Sequence, residues 1–179
     1  MRLMKKIPIV LLLCFALFAS CEKKEAQPVR SPMPSGVIQM DHDIQLLQDV
    51  VKQDPQNAVA WINLGNLFMD SGRYPEAIDA YEQALGLDPK NVDVRVDMGT
   101  CYRRMRRVDR AAEEFRKAIS LNPLHPYAHR NLGVVLAFDL NDKKQAIKEF
   151  EEYIKLYPNT PDAQQIQNLI NQLKSESAQ

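Results

Sequence analysis

Residues 61–89 read WINLGNLFMDSGRYPEAIDAYEQALGLDP, and this stretch decides the fold. Gly65 stands inside a run with helical apolar spacing, although a mid-helix glycine costs about 1 kcal/mol relative to alanine. Such a cost makes sense where two helices press so closely that a Cβ would clash. Twelve residues on comes Ala77, small again, then Tyr81 four further, Ala84 three further and Pro89 five beyond that. Proline stops its helix, because it has no N–H and clashes with the preceding turn. The stretch therefore reads as two antiparallel helices and a stop.

Working outward, the pattern returns. Gly99 and Gly133 follow at spacings of 34 residues. Behind Gly99 stand Ala111, Phe115, Ala118 and Pro123; behind Gly133 stand Ala146, Phe150, Tyr153 and Pro158, with one extra residue before Ala146. Self-similarity at a fixed period of this length marks a solenoid, whose units bury a core only by stacking on each other. Leu47, Val50 and Pro55 occupy the second-helix spacing once more, which predicts a lone helix over 43–53. Pro161 opens a last helix, roughly 161–173, with Ile166, Leu169, Ile170 and Leu173 on one face. Its other face is rich in Gln and Asn, as a cap over the open end of a solenoid requires. Eight helices and no strand are expected.

The repeated positions resemble the tetratricopeptide repeat (TPR). The first repeat carries Trp61, Leu64, Gly65, Phe68, Ala77, Tyr81, Ala84 and Pro89. The second has Met98, Gly99, Tyr102, Ala111, Phe115, Ala118 and Pro123, with Arg95 in the Trp61 position. The third has Leu132, Gly133, Leu136, Ala146, Phe150 and Pro158, with His129 there. The resemblance implies an all-α, right-handed superhelix of antiparallel helix pairs. Its repeats fall at about 58–91, 92–125 and 126–159 in a domain over 41–174, and 175–179 form a tail. Each glycine is expected to face the small Ala77, Ala111 or Ala146, with the aromatic packing on the next repeat. The extra residue of repeat three is expected in its helix-to-helix turn.

Upstream, residues 1–21 read MRLMKKIPIVLLLCFALFASC. Arg2, Lys5 and Lys6 precede a mostly apolar run of 13 residues, Ile7 to Ala19. That is too short for a membrane-spanning helix, which needs about 20 residues, and fits the apolar region of a secretory signal. The ending Phe18-Ala19-Ser20-Cys21 resembles a bacterial lipobox, with Phe18 where the family usually has Leu. The resemblance implies cleavage after Ser20 and acylation of Cys21, palmitate included; Cys14, preceded by Leu13, does not qualify. Glu22, rather than Asp, after the cysteine implies the outer membrane, facing the periplasm, if the organism has one. Residues 21–40 then read as the lipidated cysteine and a flexible tether broken by Pro28, Pro32, Pro34 and Gly36.

Composition limits the chemistry. Charged residues make up 26% and hydrophobic ones 45%, which is globular. Removing residues 1–20 leaves 20 basic against 23 acidic side chains, so no basic face for nucleic acid is expected. Cys101 is the one cysteine inside the repeats, read as a buried, inert thiol. His125 and His129 are four apart, but Pro126 lies between them and no third ligand is near; no metal site is expected. Glu113, Glu114, Glu151 and Glu152 are expected on outer faces in solvent. With no phosphate-binding glycine loop and no nucleophile motif, an enzyme, a cofactor and a small-molecule substrate are not expected.

In the TPR family the first helices line a concave surface. Position mapping assigns it Ile62, Asn66 and Met69; Val96, Thr100, Arg103 and Arg104; and Tyr127, Arg130, Val134 and Phe138. An apolar strip with arginines suits a peptide or helix of another envelope protein. Some members hold acidic chaperone tails with Lys, Asn and Arg side chains. Of that set only Asn66 is present, and Ile62, Asp97, Tyr127 and Asn131 hold the other places, which argues against that ligand. Arg103, Arg104, Arg106, Arg107 and Arg110 form a basic edge, read either as solvated or as a docking patch for acidic protein or anionic lipid. The expected function is a membrane-anchored scaffold or adaptor of the cell envelope. The alternative is a structural accessory subunit of a respiratory or cytochrome-maturation complex.

Overall fold

The computed structural model describes residues 35–177. The signal segment, Cys21 and most of the expected tether lie outside the described residues. Eight α-helices follow in order, and no strand occurs among the described residues: α1 Ser35–Gln53, α2 Ala58–Asp70, α3 Tyr74–Leu87, α4 Val92–Arg104, α5 Val108–Leu121, α6 Pro126–Val134, α7 Lys143–Leu156 and α8 Ala163–Ser177. Consecutive helices pack as antiparallel pairs, and α4 also touches α2 and α6, so the first helices of the repeats stand in a row.

Both ends of the domain differ from expectation. α1 starts at Ser35, eight residues before the helix read from the apolar pattern, so residues 35–40 are helical and not tether. Gly36 costs less in the first turn than in a helix interior. α8 starts two residues after Pro161 and continues to Ser177, into the expected tail.

The connections between repeats use one device three times. Asp54, Asp88 and Asn122 each accept the backbone N–H two residues on, at 3.2, 3.2 and 3.0 Å, closing an Asx turn around the proline that follows. Next, Asn57, Asn91 and His125 cap the coming helix by accepting the N–H of Ala60, Val94 and Ala128. The four-residue segment thus stops one helix and starts the next.

Inside each repeat the glycine is covered by the aromatic of its own second helix. A Cβ on Gly65 would lie 2.4 Å from Tyr81 Cε1; on Gly99, 2.7 Å from Phe115 Cε1; on Gly133, 2.7 Å from Phe150 Cδ1. The expected partners, Ala77, Ala111 and Ala146, are fully buried. It is nevertheless the ring one turn further on that lies against the bare glycine backbone, and Phe115 also faces α6 of the next repeat, where it lines a cleft with Arg130, Asn131 and Val134. A helix pair can approach until something fills the space, and a flat ring fills it better than a methyl group.

The extra residue of repeat three is also not where the pattern put it. The turn into α7, residues 140–142, is as short as those at 71–73 and 105–107. Instead α6 continues as a five-residue π-helical segment, Val135–Asp139. Its bonds are wide: Leu140 N–H reaches Val135 O at 3.0 Å and Asp142 N–H reaches Leu136 O at 2.7 Å. A π turn takes up an inserted residue while Val135 and Leu136 stay buried.

Candidate partner-binding groove

Five of the residues assigned to the concave side come together. Thr100, Arg103 and Arg104 of α4 and Arg130 and Val134 of α6 line one cleft of about 230 Å³, with Asn131 beside them and Phe115 at its floor. The remaining six do not line it. Val96 is buried, and its carbonyl accepts the Thr100 hydroxyl at 3.0 Å. Asn66 accepts the Tyr81 hydroxyl at 2.8 Å, so its amide is already engaged within repeat one. Ile62 and Met69 are half-buried. Tyr127 and Phe138, in the first turn of α6 and in the π segment that continues it, are 58% and 61% exposed.

Two of the three arginines assigned to this side are paired across repeats. Arg103 Nε donates to Asp139 in the π segment at 2.5 Å. Arg130 Nε donates to Asp162 at 2.7 Å, and Asp162 also accepts the Tyr153 hydroxyl at 2.7 Å. The Asp162 carboxyl is held below its usual pKa by these bonds, the Tyr153 hydroxyl first. Arg104 is exposed and has no ion pair among the described residues. On the same helix Asp97 is half-buried and has no ion pair among the described residues, and burial pushes its pKa up to about 6, with Asp93 and Asp70 adding to the rise. The first helices thus carry negative charge toward the middle of α4 and positive charge at its C-terminal end.

The side of the repeats away from this cleft holds what the sequence reading missed. Trp61, Arg95 and His129 occupy one repeat position, and all reach the carbonyl of the proline six residues earlier. Trp61 Nε1–H donates to Pro55 O at 3.0 Å, Arg95 Nη2 donates to Pro89 O at 2.9 Å, and His129 Nε2 lies 3.0 Å from Pro123 O. The shared requirement is an N–H donor on a long side chain. Arg95 and His129 need a counter-ion that Trp61 does not, and each has a glutamate from the second helix. Arg95 Nη1 donates to Glu114 at 3.0 Å, and His129 Nδ1 lies 2.7 Å from Glu149. Glu114 is therefore buried and ion-paired, contrary to the expected solvated face. Repeat one has Ala80 in place of Glu114, and there Trp61, Leu64, Phe68 and Ala80 line an open hollow of about 470 Å³. The periodic pattern alone could have flagged Glu114, because its counterpart Ala80 points inward.

His129 makes part of the stability pH-dependent. Both ring nitrogens face acceptors, so only the imidazolium can donate twice. The Glu149 hydrogen bond is the main cause that raises its pKa above the ordinary 6.5, against desolvation. A raised folded-state pKa stabilises the fold fully below pH 6.5, and that contribution disappears as pH rises through the raised value. Thermal melting followed from pH 6 to 9 should show Glu149→Gln losing most stability at the acidic end and little at the alkaline end. A pH-independent difference would remove this role.

His125 caps α6 and contacts Asp93 through Nε2 at 2.9 Å, while Cys101 is fully buried, its thiol pushed up to about 12 by burial. Among the described residues no group of three or more His, Cys, Asp or Glu could hold a metal ion.

A superhelix of antiparallel helix pairs with a glycine–aromatic contact in each repeat defines a TPR domain. The chain belongs to the family of the cytochrome c-type biogenesis protein H TPR domain, which matches residues 44–166. Among solved structures it is similar to crystal structures of MamA (TM-score 0.71, 25% identity, 78% of this chain and 81% of that one). It is also similar to the first TPR of Spaghetti (RPAP3) bound to the HSP90 peptide SRMEEVD (TM-score 0.63, 27% identity, 70% and 97% covered). A probable UDP-N-acetylglucosamine–peptide N-acetylglucosaminyltransferase, SPINDLY, of Solanum lycopersicum is 35% identical over 75 residues. Those cover 39% of this chain but only 8% of that protein's length.

Proposed function

We propose that this chain is a lipid-anchored scaffold of the bacterial cell envelope, holding a segment of another protein on the concave side of its TPR domain. The observation that carries the reading is the cleft between α4 and α6, with Tyr127 exposed at the start of α6 and Phe138 exposed in the π segment that follows it. Aromatic groups held on rigid helices make strong anchors because little entropy is lost when they are covered. The peptide held by the similar TPR of RPAP3 supports the same mode of binding. Affinity purification from membranes, with the bound protein identified, tests the reading. Recovery of no specific partner by the intact chain would count against it.

The family match favours one narrower reading, an accessory role in a cytochrome-maturation complex. On that reading the partner captured is a component of that machinery, and loss of the chain lowers the level of covalently haem-bound cytochrome. A partner from another envelope process, with cytochromes unchanged, would leave only the broader reading.

The anchor is proposed from the Ser20-Cys21 junction. A single acyl chain binds a membrane only marginally, whereas two or more hold it stably. Cys21→Ser should therefore move the protein from the membrane to the soluble fraction or leave it unprocessed, with its fold unchanged. Normal processing and membrane fractionation of Cys21→Ser would refute the lipid anchor.

A further inference from the structure

Arg106 stands in a backbone conformation that its side chain disfavours. Its φ is 61°, in the left-handed region. The corresponding turns of the other repeats use Gly72 at 75° and Asn141 at 55°, residues that tolerate this region well. Backbone hydrogen bonds close the end of α4 there, Arg106 N–H to Arg103 O and Arg107 N–H to Tyr102 O, both at 2.9 Å, and they fix the left-handed turn without calling for an arginine. The Arg106 side chain itself is exposed and has no ion pair among the described residues. The C-terminal dipole of α4 accounts for cations in its last turn, such as Arg103 and Arg104. It does not account for an arginine two residues past the helix end in place of a glycine.

The surroundings supply a reason. Arg103, Arg104, Arg106 and Asp139 line a second cleft of about 280 Å³, and Arg103 and Arg104 also line the groove cleft. Asp139 neutralises Arg103, leaving the guanidinium groups of Arg104 and Arg106 without a counter-ion. We propose that this cleft is an anion subsite of the groove, in which Arg104 and Arg106 hold the carboxylates of an acidic segment of a partner protein. The inference rests on the groove reading above and adds the chemistry of the partner.

Continuity with the groove favours a protein segment, because a chain covering Val134 and Thr100 passes directly onto Arg104. Charge sets its direction as well. Asp97 lies seven residues before Arg104, about 10 Å along α4. An acidic segment must therefore place its carboxylates at the Arg106 end and keep the stretch over Asp97 neutral or basic. The site also differs from the chaperone-tail clamp, whose positions hold Ile62, Asp97, Tyr127 and Asn131 here.

The test uses the purified full chain and a labelled, end-blocked peptide carrying two glutamates beside Leu and Phe, compared with its Gln twin. Wild type should prefer the Glu peptide by about tenfold at low salt, as charge-assisted hydrogen bonds give, and by less at high salt. Arg106→Gly should lose most of that preference while its melting temperature rises, because the left-handed strain is relieved. A merely decorative arginine would give the rise alone. No Glu preference in wild type, or an undiminished one in Arg106→Gly, overturns the proposal. So does an Arg106-dependent preference for phosphatidylglycerol over phosphatidylcholine vesicles with peptide binding unaffected, which would assign the cleft to lipid. If Arg106→Gly behaves as wild type while Tyr127→Ala with Phe138→Ala loses the natural partner, the subsite fails and the groove reading stands.

Discussion

Gly99→Leu should lower the melting temperature by roughly 10 °C, corresponding to about 3 kcal/mol of overpacking for a domain of this size. The reason is local and specific. A Cβ on Gly99 would meet Phe115 Cε1 at 2.7 Å and two further ring carbons at 3.0 Å. Phe115 is 1% exposed, so a leucine can be admitted only if the α4–α5 pair separates or the ring is pushed into the cleft it lines. Separation there disturbs the cleft too, since Phe115 forms its floor. Combining Gly99→Leu with Phe115→Ala should cost less than the sum of the two changes, because the smaller side chain admits the leucine. Gly86 provides the contrast: a Cβ there meets nothing within 4 Å, so Gly86→Ala, in the last turn of α3, should raise stability slightly, by less than the ~1 kcal/mol of a helix interior. Circular dichroism melts of the four variants check all of this. A Gly99→Leu protein melting with wild type would contradict the packing account.

The repeat was legible because its signals are local and periodic. A glycine, an aromatic 16 residues on and a proline eight further leave a mark that survives one inserted residue. What escaped was of two kinds. Local geometry escaped where two conformations serve one pattern: the extra residue of repeat three could lengthen a turn or widen a helix, and Val135 and Leu136 staying buried decided for the π segment. Long-range pairing escaped because periodicity does not encode partners. Arg103 with Asp139 and Arg130 with Asp162 are separated by 36 and 32 residues, and they take two charges that the sequence reading left for a ligand. Arg95 and His129 looked like departures from the Trp61 position until their shared proline carbonyls were seen. The groove was legible as a surface, through the mapping of first-helix positions, but not as a ranking of which residues remain unengaged. Arg104 and Phe138 do remain so, and Tyr127 meets only the edge of the His125 ring; Asn66 and Val96 are engaged.

The central claim is that a partner binds on the concave side through aromatic anchors on α6 and the π segment that continues it. Tyr127 and Phe138 are more than half exposed, so truncating them removes no core packing and should leave melting temperature and helical content near wild type. Buried interface aromatics commonly cost about 2 kcal/mol or more each when truncated. Two such losses together correspond to roughly a thousandfold weaker binding. Capture of the partner from solubilised membranes by Tyr127→Ala with Phe138→Ala, side by side with the wild-type chain, is the most direct measurement. The account predicts a folded double variant that no longer retains the partner. A folded double variant that retains it as well as wild type would contradict the account and move the binding surface off the groove.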